Sequence, residues 1–231
     1  MTKLSRRVFL GSAPAAAAAA GVFGTLFSSA AEAAINWDDT YNVIVIGAGG
    51  AGLSAAVSAK EAGCKKVVVL EKMMFAGGNT IRAGGGFNAA IKADYEKAGI
   101  KDSPDLHAQQ TLAAGDGRGD PVLVHQLTEK APESVQWLKD HGVKFEDHIY
   151  QIYAGLYKRA RNPIGPRGGA YIKALLEVCK KEDIPILYNT RVVEIIREHQ
   201  LSGRVLGVKV EQKGGKTLYL RALNGVVAAA G

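Results

Sequence analysis

Three glycines at fixed spacing are the residues of this chain best suited to bind a phosphate group. Gly47, Gly49 and Gly52 form the pattern G-x-G-x-x-G after an apolar run. In this pattern the first glycine permits a tight turn, the second lets the backbone approach a pyrophosphate, and the third lets a helix pack closely on a strand. The free N–H groups at the start of the following helix favour an anion. The spacing therefore predicts a dinucleotide-binding turn.

An acidic residue about 20 residues further on fits the same type of site. Glu71 ends the apolar run Lys66–Glu71, at the position where a carboxylate binds a ribose diol. Its negative charge would repel a 2′-phosphate, which disfavours NADP. These residues leave the choice between NAD and FAD open.

A second glycine-rich segment begins shortly after Glu71. Residues 77–86 read Gly-Gly-Asn-Thr-Ile-Arg-Ala-Gly-Gly-Gly. Small residues allow the backbone to lie in van der Waals contact with a flat ring. A glycine-rich surface loop is the alternative, but two glycine clusters on either side of an acidic strand end favour a binding site.

The elements that must position these residues can also be read from the sequence. Tyr41–Ile46 is a continuous apolar run, typical of a strand buried on both faces. Leu53–Ala62 has helical composition, and Gly63 follows as its cap. With Lys66–Glu71 as a second buried strand, the order is that of a βαβ unit.

The remaining chain is predicted to contain helices first and strands later. Residues 92–147 carry apolar residues at helical spacing, especially in Asp105–Ala114 and Asp120–His141. Residues 147–169 are rich in Gly, Pro, Arg and Tyr, which indicates an ordered irregular loop. We expect a helix at Ala170–Lys181 and strands at Ile184–Tyr188, Arg191–Arg197, Arg204–Gln212, Thr217–Arg221 and Gly225–Gly231.

Composition argues against several classes of function. The 231 residues are 47% hydrophobic and carry a net charge of +7, but the basic residues are spread along the chain without an aromatic-interleaved motif, which argues against nucleic-acid binding. An acidic small-molecule substrate stays compatible with this charge. The two cysteines, Cys64 and Cys179, are too few for a metal cluster or a disulfide framework, and no Cys-x-x-Cys-His motif for covalent haem occurs.

The first 34 residues read as an export signal. Ser5–Leu10 contains the adjacent Arg6 and Arg7, an apolar stretch follows to Phe27, and Ala31–Ala33 has the form of a cleavage site. The arginine pair resembles the twin-arginine consensus, whose pathway exports folded proteins, so a periplasmic protein that acquires its cofactor before export is implied. A membrane anchor is the alternative, but the apolar run is short for a hydrocarbon core of about 30 Å. We expect no stable membrane insertion after cleavage.

Both glycine clusters together resemble the flavoprotein subunits of the fumarate reductase and succinate dehydrogenase superfamily. The resemblance is carried by residues 77–80 and 83–90 and extends to Asp120–Val124, Ser134–Leu138, Asn189–Glu194 and Val226–Gly231. It is greatest to the soluble periplasmic branch, which includes flavocytochrome c fumarate reductases and urocanate reductases. The fold implied is α/β, a Rossmann-like FAD-binding domain of the GR2 type with a βαβ unit, a β-meander and a helical insertion.

The resemblance also implies where FAD would be contacted. Ala51 would lie at the pyrophosphate, Glu71 at the adenosine ribose, and Asn79 and Thr80 along the diphosphate and ribityl chain. Residues 84–86 would border the isoalloxazine ring, and the strand containing Val193 would contact the adenine side. The full set of implied FAD-binding residues is Gly47, Gly49, Gly50, Ala51, Gly52, Glu71, Lys72, Gly77, Gly78, Asn79, Thr80, Ala83, Gly84, Gly85, Gly86 and Val193.

Two departures from the family pattern affect this interpretation. Asn79 stands where membrane-bound members attach FAD through a histidine, so a non-covalent flavin is implied. The segment Arg159–Pro163 reads Arg-Ala-Arg-Asn-Pro instead of Arg-Ala-His-Arg-Pro, which leaves the substrate open. Arg159, Arg161 and Arg167 are candidates for positive potential near the flavin, with a solvated basic loop as the alternative. His141 and His148 are the nearest histidines, with helix-end or loop positions as the alternative.

The function implied is reduction of the C=C bond of a small α,β-unsaturated carboxylate by hydride transfer from flavin. Electrons would come from a haem or FMN carrier protein or domain. In the family the capping domain, the proton-donating arginine and the substrate clamp follow the strand near Gly231, so we expect residues 35–231 to be the N-terminal part of the FAD-binding domain and the catalytic residues to lie beyond it. The alternatives are a truncated, non-catalytic remnant and an FAD-dependent dehydrogenase of another substrate, such as a ketosteroid or an aspartate-like acid. An NAD-dependent dehydrogenase is disfavoured by residues 77–90.

Overall fold

The computed structural model describes residues 35–152, 155 and 157–231 of the chain. The predicted export signal, residues 1–34, lies outside the described residues.

The predicted βαβ unit is confirmed. Strand β1 spans Asp39–Ile46, helix α1 spans Gly50–Glu61 and strand β2 spans Val67–Leu70. Strands β1 and β2 pair in parallel, with Val43 opposite Val67 and Ile46 opposite Leu70. A parallel pair requires a crossover connection, and α1 supplies it.

One six-stranded sheet, in the order β6-β2-β1-β9-β8-β7, carries the cofactor turn. Its remaining strands are β6 (Ile186–Leu187), β7 (Thr190–His199), β8 (Ser202–Gln212) and β9 (Thr217–Ala228). Strands β7, β8 and β9 form an antiparallel meander, and β9 joins this meander to the parallel strand β1. The structure thus contains the predicted mixture of a βαβ unit and a β-meander.

Two strands predicted near the end of the chain are a single strand. Strand β9 runs without interruption from Thr217 to Ala228 because a bulge opposite Asn42 absorbs the extra residues between Ala222 and Gly225. The polar pair Asn42 and Asn224 bond across this bulge, Nδ2 to Oδ1, at 3.2 Å. A bulge keeps a strand paired where local sequence suggests a break.

The region predicted as an irregular loop, residues 147–169, contains two strands, which corrects that prediction. Strand β5 (Lys158–Arg161) pairs with β3 (Phe87–Asn88) on one side and β4 (Tyr150–Gln151) on the other. The composition of β5, Lys-Arg-Ala-Arg, is typical of an exposed loop. It forms a strand because it pairs both with the nearby β4 and with β3, which is distant in the chain.

Four further helices complete the structure described here. They are α2 (Lys92–Lys97), α3 (Pro104–Ala114), α4 (Pro121–Asp140) and α5 (Gly168–Lys181). Helix α3 begins at a Ser103 cap, whose Oγ accepts a hydrogen bond from Leu106 N at 3.0 Å, and α4 begins at an Asp120 cap. These caps and the apolar periodicity explain why α3, α4 and α5 match the predicted ranges to within two residues.

The parallel strands are buried on both faces, as their continuous apolar sequence predicted. On one face, residues of β1 and β2 such as Val45 and Val69 pack against α1 and α5 through Leu53 and Leu175. On the other face, side chains such as Ile44 pack against the meander. The carboxyl ends of β1 and β2 are thereby held rigidly beside the start of α1. Within the described part of the chain, no helix is long and apolar enough to cross a membrane.

Candidate cofactor site

The first glycine cluster forms the tight turn between β1 and α1. Gly47 has a φ of +101°, and a Cβ added to it would lie 2.5 Å from Ala229 O. A Cβ added to Gly52 would lie 1.9 Å from Gly47 O. The fold itself therefore requires glycine at both positions, one for the turn and one for the helix packing.

Gly49 differs from these two glycines because nothing in the fold requires it. Its φ is −81°, which any residue can adopt. The nearest atom to an added Cβ is Gly77 O at 3.9 Å, an ordinary contact distance. A glycine that the protein itself does not need leaves space for close approach of another group. In a dinucleotide-binding turn, the glycine at this position lets the backbone approach a pyrophosphate.

The two glycine clusters lie against each other. Gly49 and Gly77 form an isolated parallel bridge, and Gly77 N donates to Ala48 O at 2.8 Å. Gly50 N, in the first turn of α1, donates to Thr80 Oγ1 at 3.1 Å. Residues that are separated in sequence thus form one continuous surface at the carboxyl end of β1.

Glu71 lies at the end of β2 and is nearly buried, with 7% of its surface exposed. Its Oε2 accepts a hydrogen bond from Ala48 N and its Oε1 accepts one from Met73 N, both at 2.8 Å. A carboxylate offers about four lone-pair positions. The backbone bonds fix the orientation of the carboxylate and leave acceptor capacity for a ribose diol.

A cleft of about 210 Å³ opens beside Glu71. Its lining includes Lys72 as expected, and strand β7 contributes to it with Thr190, Arg191 and Val192. Val193, the residue implied by the resemblance, is 41% exposed, and its neighbour Val192 is the one that lines the cleft. The pairing of β7 with β8 shifts in register between Val192 and Glu194, which is where Val193 lies.

Ala230 also lines this cleft, although the sequence interpretation did not include it. It follows β9, which pairs in parallel with β1 and therefore ends at the same edge of the sheet. A prediction that β9 runs parallel to β1 would have placed Ala230 beside the cofactor turn.

The second cluster turns past the first in a short 3-10 helix, Thr80–Arg82, which Asn79 precedes. Gly84, like Gly49, has open space around it: among the described residues, no atom lies within 4 Å of a Cβ added to Gly84. Asn79 and Ala83 are exposed beside it. No contact among the described residues requires glycine at either of these two positions, Gly49 and Gly84.

The neighbouring glycines, in contrast, pack against protein. A Cβ on Gly86 would lie 2.6 Å from Tyr150 Oη, and Tyr171 Oη donates to Gly85 O at 2.7 Å. Burial raises the pKa of Tyr171 above its usual range, so this hydroxyl keeps its proton. Neither tyrosine was identified from the sequence, because both come from distant elements. The two tyrosines contact the backbone of residues 85 and 86, whereas Gly84 stays exposed.

Arg159 is a buried structural residue. Its Nη2 lies 2.8 Å from Asp102 Oδ1, its Nε donates to Asp102 Oδ2 at 3.1 Å, and Gln110 Oε1 accepts a further bond at 2.8 Å. Arg159 is therefore not part of a solvated loop, and Asp102 compensates the positive charge for which Arg159 was a candidate. The bidentate pair occurs because a buried guanidinium requires a carboxylate.

Arg161 is also buried and paired. Its Nη2 lies 2.9 Å from Asp94 Oδ2 and donates to Ala89 O at 3.3 Å. Burial lowers the pKa of Arg161, and Asp94 opposes this shift. Its charge is neutralised within the protein, as that of Arg159 is.

Arg167 is the exception among the three arginines of this region. It is exposed and precedes α5 with a φ of 52° and a ψ of −123°, a conformation that favours glycine. Such a conformation costs about 1–3 kcal/mol. Its backbone packs on the second cluster, since a Cβ on Gly85 would lie 2.7 Å from Arg167 C. The guanidinium has no hydrogen-bond or ion-pair partner within residues 35–152, 155 and 157–231.

The two histidines considered from the sequence have structural surroundings. His141 follows α4, stacks on Trp137 at 4.0 Å between ring centroids, and places Nε2 2.8 Å from Glu61 Oε1 of α1. His148 is exposed near Glu146. A third histidine, His107, is buried in α3, and burial, followed by the charge of Arg159, lowers its pKa.

The site that results is suited to a long dinucleotide. The glycine turn and the start of α1 form the middle of the site. The Glu71 carboxylate and its narrow cleft lie on the side of β2, and the open glycine segment around Gly84 lies on the other side. These features fit phosphate, ribose and base on one side and a flat ring on the other.

Comparison with known proteins supports this assignment. The family described as FAD binding domain matches residues 42–231. The chain is 35% identical over 194 residues to the NADH:fumarate oxidoreductase of Klebsiella pneumoniae, covering 83% of the chain and 20% of that protein. It is 31% identical over 235 residues to the acrylate reductase flavoprotein subunit of Shewanella woodyi, covering 99% of the chain and 46% of that protein.

A solved structure shows the same fold. The open conformation of a flavocytochrome c3 fumarate reductase superimposes with a TM-score of 0.76 and 29% identity, covering 84% of this chain and 34% of that chain. The chain spans between a fifth and about half of the length of the proteins to which it is similar.

Proposed function

Because this chain belongs to the FAD binding domain family, we propose that it is the cofactor-binding part of a flavoprotein that reduces the C=C bond of a small α,β-unsaturated carboxylate. Its cofactor is FAD. The observation that carries the proposal is the pair of glycines, Gly49 and Gly84, whose open surroundings no part of the described fold explains.

Each part of the site has a role in holding FAD. The N–H groups of Ala51 and Gly52 would bind the pyrophosphate, since Gly50 N donates to Thr80 Oγ1 and the first bond within the helix is made by Leu53 to Gly49 O, at 3.0 Å. Glu71 would accept hydrogen bonds from the adenosine ribose, with the adenine edge against β7. Thr80 Oγ1 accepts from Gly50 N and keeps its own proton free to donate to the diphosphate.

The ring of the flavin would lie beside residues 84–86. When bound there, FAD would supply a hydride to the β-carbon of the substrate. Tyr150 and Tyr171 would hold the backbone in place behind the ring. Asn79 supports a non-covalent flavin, because an amide side chain cannot form the bond that a histidine forms.

The names of the relatives support the proposed substrate class. The names of two of these relatives refer to reduction of fumarate or acrylate, which are α,β-unsaturated carboxylates. We propose a haem or FMN carrier as the electron donor. The substrate clamp and the proton donor would lie in a part of the protein that follows Gly231.

We further propose that the protein is exported to the periplasm by a twin-arginine signal in residues 1–34. The similarity to the acrylate reductase subunit extends over 99% of the chain, so it includes part of this segment. Export of the protein in folded form would allow FAD to bind before translocation.

Two measurements test the proposal and separate it from its alternatives. The full gene product, reduced through methyl viologen, is expected to oxidise the dye when fumarate, acrylate or urocanate is added. Oxidation of a saturated ketosteroid or of aspartate instead would favour a dehydrogenase of another substrate. Fluorescence titration of residues 35–231 with FAD is expected to give saturable binding, whereas no binding would favour a non-functional remnant.

A further inference from the structure

The two segments beside the proposed flavin ring carry positive charge without compensation. Residues 77–91 and 162–172 contain one arginine each, Arg82 and Arg167, and no aspartate or glutamate. The nearby Arg159 and Arg161 are buried and paired with Asp102 and Asp94, so their charges are neutralised. The remaining positive charge of this region therefore belongs to Arg82 and Arg167.

Arg167 is held against the flavin segment by backbone contacts. Gly168 N donates to Ala83 O at 3.2 Å, and a Cβ on Gly168 would lie 1.9 Å from Thr80 O. A Cβ on Gly85 would lie 3.0 Å from Arg167 Cα. The base of the Arg167 side chain is thus fixed next to Gly85, one residue from the open position at Gly84.

The chain keeps an arginine where glycine would be more favourable for the backbone. Arg167 has a φ of 52°, and glycine stands at 165, 168 and 169 around it. Residues with a strained backbone cluster at active sites and ligand-binding sites. A cation beside a flavin stabilises the reduced ring, whose extra electron pair gives it negative charge.

We propose that Arg167 is the cation that stabilises the anionic, reduced form of the flavin and so raises its reduction potential. This inference rests on the proposed placement of the ring beside residues 84–86. Two electrons from the donor and one proton would leave the bound ring with a negative charge over N1 and the C2 carbonyl. The Arg167 guanidinium lowers the free energy of that charge.

Sulfite binding measures this effect without turnover. The sulfur lone pair of sulfite forms a bond to flavin N5, and the displaced electron pair places the same negative charge over N1 and the C2 carbonyl. The test uses the chain loaded with FAD and follows the loss of flavin absorbance with added sulfite. A single unit charge at roughly 12 Å, at an effective dielectric constant of about 20, changes an equilibrium constant about tenfold.

Arg167→Gln is expected to weaken sulfite binding about tenfold, and Arg167→Lys to keep most of the affinity. Arg167→Gly is expected to raise the melting temperature, because glycine relieves the strain, and still to lose sulfite affinity. If Arg167 had only a structural role, sulfite affinity would not fall in a variant whose melting temperature rises. Arg118→Gln is the control, since Arg118 is exposed on the turn between α3 and α4 beside Asp116 and the substitution makes the same change in charge.

Equal sulfite affinity in Arg167→Gln and Arg118→Gln would overturn this inference while leaving the FAD site intact. A loss in Arg82→Gln without a loss in Arg167→Gln would overturn the assignment to Arg167. An unmodified chain that binds no FAD in the preceding titration would overturn both the inference and the proposed site.

Discussion

At the scale of single residues, the glycines of this chain fall into two groups with different physical causes. Gly47 and Gly52 are required by the fold, because an added Cβ would lie within 2.5 Å of a backbone oxygen. Gly49 and Gly84 have open surroundings among the described residues, and we propose that a ligand accounts for glycine at both positions. The sequence pattern named Gly47, Gly49 and Gly52 as a set, but it could not separate these causes, since the separation depends on contacts between distant residues.

This distinction predicts opposite effects of one substitution at two positions. Gly49→Ala is expected to preserve the free energy of unfolding to within about 1 kcal/mol and to weaken FAD binding at least tenfold. Gly52→Ala is expected to destabilise the fold itself, because its Cβ would lie 1.9 Å from Gly47 O. Urea unfolding and fluorescence titration with FAD measure the two effects. Unchanged FAD affinity in Gly49→Ala would contradict the assigned role.

His107 predicts a pH dependence of stability at the same scale. Burial lowers the pKa of this histidine in the folded chain below its unfolded value of about 6.5. Below that pH the unfolded chain binds a proton that the folded chain does not, so this histidine contributes a loss of stability as the pH falls. At higher pH the contribution vanishes.

The prediction is tested by urea unfolding at pH 8 and pH 5.5, with His107→Gln as the comparison. Relative to the variant, the unmodified chain is expected to lose stability on going to pH 5.5. An identical pH dependence of the two proteins would show that His107 is protonated equally in both states.

At the scale of elements, local sequence predicted those that depend on local patterns. β1, α1 and β2 are defined by continuous apolar runs, a glycine turn and a cap, all of which lie within one segment. Strand β5 could not be predicted in this way, because its polar residues form a strand only through pairing with β3 and β4. The site follows the same rule: Glu71 was predicted, whereas Tyr150, Tyr171 and Ala230 come from other elements.

Strand β5 is fastened to the start of α3 by the buried pair of Arg159 and Asp102. Asp102→Ala is expected to lower the free energy of unfolding by about 3–5 kcal/mol, because it leaves a buried guanidinium without its counter-charge. Glu133→Ala is the control: it removes the exposed partner of Lys130 within α4 and is expected to cost much less. Chemical denaturation of both variants measures the difference, and equal effects would argue against a structural role for the buried pair.

At the scale of the whole molecule, one sheet edge brings the separate parts of the cofactor site together. The parallel strands β1, β2 and β9 end at this edge, and α5 holds the second glycine cluster against the first. The chain shares this fold with a flavocytochrome c3 fumarate reductase, of which it covers 34%. Binding FAD across so many elements links cofactor affinity to the stability of the entire unit.

FAD is therefore expected to stabilise the folded chain. At a free concentration 100 times the dissociation constant, a ligand that binds only the folded state adds about 2.7 kcal/mol. Thermal unfolding with and without FAD measures this shift, with riboflavin as the control because it lacks the pyrophosphate and the adenosine. An equal shift with riboflavin would show that the glycine turn and Glu71 contribute nothing to binding.

The most direct test of the central claim is reconstitution of residues 35–231 with FAD, followed by gel filtration and acid precipitation. Oxidised flavin absorbance is expected to co-elute with the protein in a ratio near one to one, and acid is expected to release all of the flavin into the supernatant. Protein that elutes without flavin from a saturating FAD solution would contradict the assigned site. Flavin that remains with the precipitated protein would contradict the non-covalent attachment inferred from Asn79.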